Sequence, residues 1–462
     1  MNDVLEQCRW KKGLGLKKSN EKGVTKMMYR WLSVVALLMS WGMLVGQEAP
    51  QAMIEEIQSI PTQAGEPWVI GGQEFTTLPS TALNANKQPQ PGDLAVVEFV
   101  VRDGMLVATT VQPLAIKAAE VNDGPYVIWR GPSTAEVLMM NAGQVVRKTY
   151  TNIAGPREID DFPGFQQSIL LDPTPPESPK SVWSRPSKLM AISDLEGNYE
   201  NAVRFLQASQ IIDSKQDWIW GEGHLVLVGD LVDRGSQVTE VMWLFHRLER
   251  QARKVGGDVH YILGNHEAMV MGGDLRYINP KYHFVTSRMK LDYDRLFAED
   301  TEIGRWWRSK NGVETVGNLF FVHGGYSPIL DQAQLTADTL NRRIREGLAP
   351  ARPTGSTPAT NPVRHQHGPF WYRGYFDQYG SSWGGKATEE EIRNILERHG
   401  AEHVVIGHTV VDNVGPLDKT GAVIGIDVKW RDAEKCQGLL QEKGELWRVS
   451  IDGKREKLEL GK

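Results

Sequence analysis

The chain has 462 residues, a length that suits two or three domains. A chain of this length can bury a large hydrophobic core and needs no disulfide bond or bound metal to stabilise it. Its formal net charge of −5 gives no basis for non-specific binding to nucleic acid, so nucleic acid is not an expected partner. Cys8 and Cys436 are its two cysteines, and loss of the N-terminus would leave Cys436 without a disulfide partner.

Residues 1–46 are predicted to be a signal peptide, and the charged stretch before Met27 indicates an over-extended start. Arg30 precedes an apolar run over residues 31–45, and Gly46 follows it at a plausible cleavage point. The run has about 15 residues, whereas a membrane-spanning helix needs roughly 20. We therefore expect an exported protein, periplasmic or extracellular. The alternative is an uncleaved leader, which would make the membrane a partner.

Residues 47–175 are predicted to form a small β-rich accessory domain with a sandwich-like arrangement. Two β-rich runs are joined by Asp103-Gly104, a strong hairpin signal, and a second turn is expected at residues 141–143. This region contains no chemical motif, so a structural role is expected, with ligand binding as the alternative. The five prolines of residues 171–188 favour an extended connector, which we place at residues 176–188.

Residues 189–462 alternate short apolar runs with helical patterns, as in an α/β fold. Apolar runs that predict strands occur at residues 188–193, 224–229, 258–264, 318–324 and 402–408. The apolar spacing of residues 198–212 and 237–255 predicts helices. Residues 345–368, rich in Pro, Thr and Gly, are interpreted as a flexible loop.

The carboxyl ends of the five predicted strands, or the residues just after them, carry side chains of metal-binding types. In chain order these are Asp194, Glu196 and Asn198; Asp230 and Asp233; Asn265, His266 and Glu267; His323; and His408. Sites in open α/β sheets form at the carboxyl ends of strands. A single aspartate there is often only a helix cap. Five such endings in one chain indicate a functional site.

The order of these motifs, D-x-x-G, GDxxDRG, GNHE, HGG and GHT, resembles the calcineurin-like metallophosphoesterase superfamily. GDxxDRG and GNHE are similar to its phosphoprotein-phosphatase branch. The stretches GNHEAMVMGGDLRY and GRWWRSKNGVETVGNLFFVHGG look closest to the Shewanella-like bacterial phosphatases. The resemblance covers about residues 188–430. It implies a metallophosphoesterase fold, a central β-sandwich flanked by helices, which the β-rich domain precedes here.

The resemblance also implies a role for each matching residue. Asp230 matches a carboxylate that bridges two metal ions, and the remaining metal ligands would be Asp194, Glu196, Asn265, His323 and His408. His266 matches the proton donor to the leaving group, with Asp233 orienting its ring. Arg234 matches a phosphate-binding arginine, and Arg373 is the candidate for a second. Imidazole ligands favour Mn, Fe or Zn over Mg or Ca, and Mn is the first expectation.

Glu196 departs from the family pattern, because a histidine ligand is usual at its position. Either Glu196 binds the first metal through oxygen, which favours Mn or Mg over Zn, or that metal binds weakly and activity is low. Asp427 follows a strand near the site and is expected either to support it or to act as a cap. Arg276 and Tyr277 are candidates for the substrate pocket, with structural roles as the alternative.

The sequence therefore predicts an exported, metal-dependent phosphatase that hydrolyses phosphomonoesters, of small molecules or proteins. The expected reaction is direct attack by a hydroxide held at two metal ions, without a phosphoenzyme. One alternative is a nucleotide phosphodiesterase of the same superfamily. Another is a catalytically weakened protein that binds phosphorylated ligands. His266, Asp233 and Arg234 argue against that last alternative, since binding alone needs no proton donor.

Overall fold

A computed structural model describes residues 51–63, 66–83, 89–160, 162, 167–348 and 356–460. The predicted signal peptide lies outside the described residues, as does the stretch 349–355 of the predicted flexible loop. Across the described ranges, no helix has the length and apolar character needed to cross a membrane.

The strands of the described ranges are β1 (Gln51–Ser59), β2 (Trp68–Ile70), β3 (Gln73–Leu83), β4 (Asp93–Arg102), β5 (Met105–Lys117), β6 (Asp123–Gly131), β7 (Thr134–Asn141), β8 (Gln144–Tyr150), β9 (Arg157–Ile159), β10 (Ile169–Leu171), β11 (Val182–Trp183), β12 (Lys188–Ile192), β13 (His224–Val228), β14 (Asp258–Ile262), β15 (Val313–Val316), β16 (Leu319–Val322), β17 (His403–Ile406), β18 (Gly415–Pro416), β19 (Val423–Gly425), β20 (Gln437–Glu442), β21 (Glu445–Ser450) and β22 (Arg455–Lys457). The α-helices are α1 (Tyr199–Ala208), α2 (Val238–Arg253), α3 (Asn265–Met271), α4 (Pro280–Met289), α5 (Glu302–Ser309), α6 (Pro328–Asp331), α7 (Ala337–Gly347) and α8 (Glu389–His399).

The first five strands close into a barrel in the order β1-β2-β3-β5-β4, around its own buried apolar cluster. The Asp103-Gly104 hairpin between β4 and β5 is confirmed, with φ values of 51° and 77° at its two turn residues. The β-rich character is also confirmed, but the sandwich-like arrangement is wrong for this part. The barrel closes because β3 pairs in parallel with β5, a non-local pairing that strand periodicity does not specify.

Strands β6, β7 and β8 form a three-stranded sheet that packs on the α/β part of the chain. The backbone N–H of Trp129 donates to Asp300 O at 2.7 Å, and Trp243 Nε1 donates to Pro125 O at 2.8 Å. Residues of β6 and β7 share one buried core with the strands that follow residue 188. The hydrophobic core is therefore continuous across the predicted linker, within which β11 adds a parallel edge to β15.

The α/β part contains two six-stranded sheets in the orders β14-β13-β12-β20-β21-β22 and β11-β15-β16-β17-β19-β18. Strands β12, β13 and β14 are parallel neighbours, and so are β16, β17 and β19. All five strands predicted here are confirmed, as are the helices α1 and α2 that connect β12 to β13 and β13 to β14. Because connected parallel strands end at the same edge, the loops after them meet there.

Helices α1 and α2 follow the apolar spacing of the sequence. Helix α1 buries Ala202, Phe205 and Leu206, which lie three or four residues apart and so share one face. Helix α2 buries a broader face and carries Arg250 and Arg253 in its last turn, where positive charge is favourable. Both helices start within a few residues of Asp194 or Asp230, so their packing fixes the loops that carry those carboxylates.

Candidate metal centre

The loops after β12 and β13 are joined by backbone hydrogen bonds. Asp194 N–H donates to Gly229 O at 3.0 Å, and Glu196 N–H donates to Asp230 O at 3.0 Å. Gly235 N–H donates back to Glu196 O at 2.9 Å. These bonds continue the pairing of the two strands beyond the sheet, so the backbone that carries the carboxylates is fixed before any ligand binds.

Positive φ angles are concentrated in the predicted site. Six of its non-glycine residues adopt them: Asp194 (54°), Glu196 (46°), Asp230 (52°), Asp233 (70°), Arg234 (57°) and His408 (62°). Left-handed backbone at such residues costs about 1–3 kcal/mol each unless the surrounding structure compensates. Here the backbone hydrogen bonds between the loops compensate. Strain of this kind clusters at functional sites.

Three buried side chains form the core of a metal-binding group. Ligand atoms of Asp230, His323 and His408 all lie within 4.8 Å of one another. His323 Nδ1 donates to Val228 O at 2.7 Å, so Nε2 is the ring nitrogen that faces the group. That nitrogen lies 3.2 Å from Asp230 Oδ2 and 3.0 Å from Asn265 Oδ1. Four of the predicted ligands are therefore brought together.

The pKa shifts of the two histidines show that the carboxylate of Asp230 attracts positive charge to this group. A bound cation would supply such charge. Burial lowers the pKa of His323, but the charge of Asp230 outweighs this and raises it to about 9. Burial, with the neighbouring His323 and Arg373, lowers the pKa of His408 well below its usual value, so its ring is neutral. Its Nε2 has no hydrogen-bond partner among the described residues. A neutral imidazole beside carboxylate and amide oxygens fits a divalent transition metal.

Asp194 and Asp427 add two further carboxylates to the cavity that Asp230 lines. Asp194 accepts from the backbone N–H of His408, at 3.1 Å to Oδ2, and from the Ser193 hydroxyl. Burial raises the pKa of Asp194 to about 6. Burial also raises the pKa of Asp427 well above its usual value, with further contributions from Asp194 and Glu196. Crowded, buried carboxylates of this kind bind cations or protons.

Glu196 lines the same cavity but is engaged by a different partner. Its Oε1 accepts a hydrogen bond from Arg234 Nη1 in an ion pair. Burial raises the pKa of Glu196 to about 7, although Arg234 opposes the shift. The structure therefore shows the predicted ligand Glu196 held by the predicted phosphate-binding arginine.

The predicted proton donor has its predicted partner. His266 Nδ1 lies 2.5 Å from Asp233 Oδ2, and both side chains are buried. His266 Nε2 lies 3.7 Å from Asp230 Oδ2, so the ring is next to the metal-binding group without being part of it. Burial lowers the pKa of His266, but the charges of Asp230 and Asp233 raise it above the usual value. The raised pKa favours the protonated form of the ring, which can donate a proton.

Arg373 reaches the site from the segment that follows the predicted flexible loop. Its Nη1 donates to Thr409 Oγ1 at 2.8 Å, and its guanidinium lies 5.6 Å from the ring centre of Tyr379. The cavity that it lines has a volume of about 310 Å³. The cavity is lined by Asp194, Glu196, Asp230, Arg234, Asn265, His266, Met269, Arg276, Tyr277, Trp371, Arg373, Tyr379, His408, Val410 and Asp427. All ten predicted site residues line this cavity except Asp233 and His323, which are fully buried.

Glu267 has a role that the sequence interpretation did not assign. Its carboxylate accepts the backbone N–H groups of Asp230 at 3.0 Å, Leu231 at 2.8 Å and Gly264 at 2.8 Å. It therefore ties the loop after β13 to the start of α3, which carries Asn265 and His266. Its position in GNHE, directly after His266, was the available signal, but a glutamate there reads equally well as a metal ligand or a helix residue.

The part of the chain that carries most of this site matches a known family. The calcineurin-like phosphoesterase family matches residues 187–412. A cold-active protein-tyrosine phosphatase of a psychrophilic Shewanella species superimposes with a TM-score of 0.67 at 33% identity, over 73% of this chain and 99% of that chain. Shewanella-like protein phosphatase 2 of Arabidopsis thaliana is 24% identical over 300 residues, 55% of this chain and 75% of that protein. An uncharacterised protein of Schizosaccharomyces pombe is 30% identical over 236 residues, 48% of this chain and 67% of its own length.

The motif order predicted this outcome, and the fold, the site geometry and the relatives agree with it. The chain belongs to the calcineurin-like phosphoesterase family and is a phosphoester hydrolase related to the Shewanella-like protein phosphatases.

Proposed function

We propose that this chain hydrolyses phosphomonoesters at a centre of two divalent metal ions. The observation that carries the proposal is the buried His266–Asp233 pair beside the donor group of Asp230, His323 and His408. A proton donor at the edge of a metal-binding group is the arrangement that cleavage of a phosphoester needs. Asp230 and Asn265 with the two imidazoles would hold one ion, and Asp194 and Asp230 with Glu196 the other.

The protein's own residues supply binding, orientation and a proton. When bound, the metal pair supplies an activated water nucleophile and Lewis acidity toward the phosphoryl oxygens. Arg373 and Arg234 present planar guanidinium groups that can each donate two parallel hydrogen bonds to a phosphoryl group. His266 Nε2 donates its proton to the oxygen of the departing alcohol or phenol, while Asp233 holds the ring through Nδ1. The all-oxygen first site favours Mn.

Protein phosphotyrosine is the substrate class that we propose. Aromatic side chains of Tyr277, Trp371 and Tyr379 line the cavity, and the Tyr277 ring lies 5.2 Å from the His266 ring. A phenolic leaving group can pack against such rings while its oxygen meets His266. The related Shewanella enzyme is a protein-tyrosine phosphatase, which supports the same choice.

A nucleotide phosphodiesterase is the second candidate. A symmetrical bis(5'-nucleosyl)-tetraphosphatase of Xylella fastidiosa is 29% identical over 152 residues, 32% of this chain and 43% of that protein. Preferential turnover of bis(p-nitrophenyl) phosphate over p-nitrophenyl phosphate would favour this candidate.

The first experiment measures p-nitrophenyl phosphate turnover by metal-stripped protein that is re-supplied with Mn, Fe, Zn, Mg or no metal. We expect Mn to restore the highest activity and Asp230→Asn to abolish the restored turnover, because Asp230 is the proposed ligand that the two ions share. Asp432 is an exposed carboxylate outside the donor set. Asp432→Asn is therefore the matched control and should keep its activity. Peptides of one sequence carrying phosphotyrosine or phosphoserine then test the substrate class.

Three outcomes would count against the proposal or against its substrate class. Absence of turnover with every ion, at two bound metals per chain, would favour the diesterase. Absence of turnover with at most one bound metal would favour a weakened site that only binds phosphorylated ligands. Equal rates on the two peptides would leave a phosphomonoesterase without the proposed preference for phosphotyrosine.

A further inference from the structure

The ion pair between Glu196 and Arg234 lies where two cavities meet. One is the 310 Å³ cavity over the donor group, and the other has a volume of about 270 Å³. Both are lined by Glu196 and Arg234, and also by Val410 and Asp427, so together they form one trough. The two side chains are 27% and 33% exposed, so their charges face the trough and are not buried in the core. An ion pair in this place occupies the route by which a phosphate would reach Arg234.

Glu196 and a phosphate would compete for the same guanidinium. Among the described residues, the Glu196 carboxylate is the one side chain that accepts a hydrogen bond from the Arg234 side chain. The guanidinium also lies 5.3 Å from the ring centre of Tyr277, which covers one of its faces. A carboxylate and a phosphate monoester both take bidentate N–H donors from arginine, so Glu196 acts as an internal mimic of the phosphate.

The backbone of Glu196 is fixed, but its carboxylate is at the end of a flexible side chain. Both backbone groups of Glu196 are hydrogen bonded, to Asp230 and to Gly235, so its Cα cannot follow a ligand. Asp194, Asp230 and Glu196 line the same cavity. Rotation about the Glu196 side-chain bonds can therefore exchange Arg234 for a cation held by the two aspartates without any backbone movement.

We propose that Glu196 covers Arg234 until a divalent cation at Asp194 and Asp230 draws its carboxylate away, so that metal and phosphate bind cooperatively. Uncovered, Arg234 is free to receive the phosphate. Linkage makes the coupling reciprocal, so phosphate must tighten metal binding by the same factor. The inference rests on the proposed function in one respect, that Arg234 receives the phosphate, and it assigns Glu196 a positioning role toward that arginine.

The test measures binding of inorganic phosphate by isothermal titration calorimetry, without turnover. Metal-free wild-type protein is compared with Glu196→Gln, which weakens the ion pair, and Glu196→Ala, which removes it. Since coupling between linked sites is typically about 5–150-fold, we expect phosphate to bind metal-free Glu196→Ala at least about fivefold more tightly than metal-free wild type. Glu196→Gln should lie between the two, and Mn-loaded wild type should show a gain of at least the same size.

Two controls separate uncovering of Arg234 from a general loss of negative charge. Asp432→Asn removes an exposed carboxylate from the rim of the same trough and should leave phosphate affinity unchanged. In an Arg234→Ala background, Glu196→Ala should have no effect on phosphate affinity. Circular dichroism confirms that each variant is folded.

Equal or weaker phosphate binding by metal-free Glu196→Ala would overturn the proposal, because Glu196 would then only hold Arg234 in place. An equal gain from Asp432→Asn, or a gain that persists without Arg234, would overturn it too. A different result marks failure of the proposed function. In that case the Mn-loaded protein would bind no phosphate, whether residue 196 is Glu, Gln or Ala.

Discussion

His266 and Asp233 form the pair on which the proposed proton transfer depends. The 2.5 Å separation of Nδ1 and Oδ2 fixes the ring, because a carboxylate can only accept and so Nδ1 must carry hydrogen. The second ring nitrogen then faces Asp230 at 3.7 Å, on the side of the cavity. A protonated His266 can therefore deliver a proton where a leaving group would sit.

Replacement of His266 by Gln should slow the enzyme according to the leaving group. General acid catalysis contributes about 10²–10⁴-fold, so kcat for phenyl phosphate should fall within that range. p-Nitrophenol is a stronger acid and leaves with less help, so kcat for p-nitrophenyl phosphate should fall much less. Equal losses on both substrates would contradict the assignment of His266 as proton donor.

Asp233→Asn should move the basic limb of the pH profile of kcat to lower pH. Asp233 helps to raise the pKa of His266, and activity is lost as the proton leaves that ring.

The meeting of single residues was predictable from the sequence where a motif fixes their position on a strand, and unpredictable where a neighbouring side chain decides the contact. Asp230, His323 and His408 meet because each ends a strand whose order the motifs preserve. The ion pair of Glu196 with Arg234 has no such signal. It depends on the left-handed backbone at both residues and on the hydrogen bonds between the two loops, which only the folded chain provides.

At the scale of elements, the close approach of the loop after β13 to the start of α3 defines the donor group. Gly264 is the contact point, since a Cβ at this position would lie 2.2 Å from Asp230 Oδ1 and 2.6 Å from Asp230 N. Its own φ is −105°, so space and not backbone conformation requires a glycine here. The glycine of GNHE is thus explained by the position of a carboxylate more than thirty residues earlier in the chain.

Gly264→Ala should displace the Asp230 carboxylate and weaken metal binding while the strands and helices remain. Mutation of a residue that supports a metal ligand typically lowers metal affinity by about 10–100-fold, so we expect Mn affinity to fall by at least about tenfold, with turnover falling alongside. Electron paramagnetic resonance of free Mn²⁺ measures the affinity directly. Gly155→Ala is the matched control, because a Cβ there meets nothing within 4 Å. Mn affinity in Gly264→Ala equal to that of the control would show that the carboxylate can relocate.

Elements were predictable from periodicity, whereas their assembly was not. Runs such as residues 224–229 and the Asp103-Gly104 turn carry local signals that the structure reproduces. Closure of the barrel requires β3 to meet β5 across the intervening β4, and docking of β6 requires contacts with Asp300 and Trp243. Both depend on pairs that are distant in sequence and carry no periodic signal.

At the scale of the whole molecule, folding buries His246 and partly buries His399, and both rings stay neutral. His246 lies between Trp243 and Trp306, and burial lowers its pKa to about 3. His399 stacks on Phe320 with ring centres 4.0 Å apart, and burial lowers its pKa to about 4. Folding therefore excludes protons that the unfolded chain would bind below pH 6.5. Stability gained from keeping these rings neutral is present above that pH and is lost as the pH falls.

His399→Phe should make the free energy of unfolding less sensitive to acid. A phenyl ring keeps the stack on Phe320 but cannot bind a proton when the chain unfolds, and His399 Nε2 has no hydrogen-bond partner to lose among the described residues. Between pH 6.5 and pH 4.5, wild-type stability should fall with decreasing pH, and the variant should lose about 1 kcal/mol less per pH unit. Urea unfolding followed by tryptophan fluorescence at several pH values gives both slopes. Parallel slopes would mean that His399 takes up no extra proton on unfolding, and the acid sensitivity would then have to come from other groups.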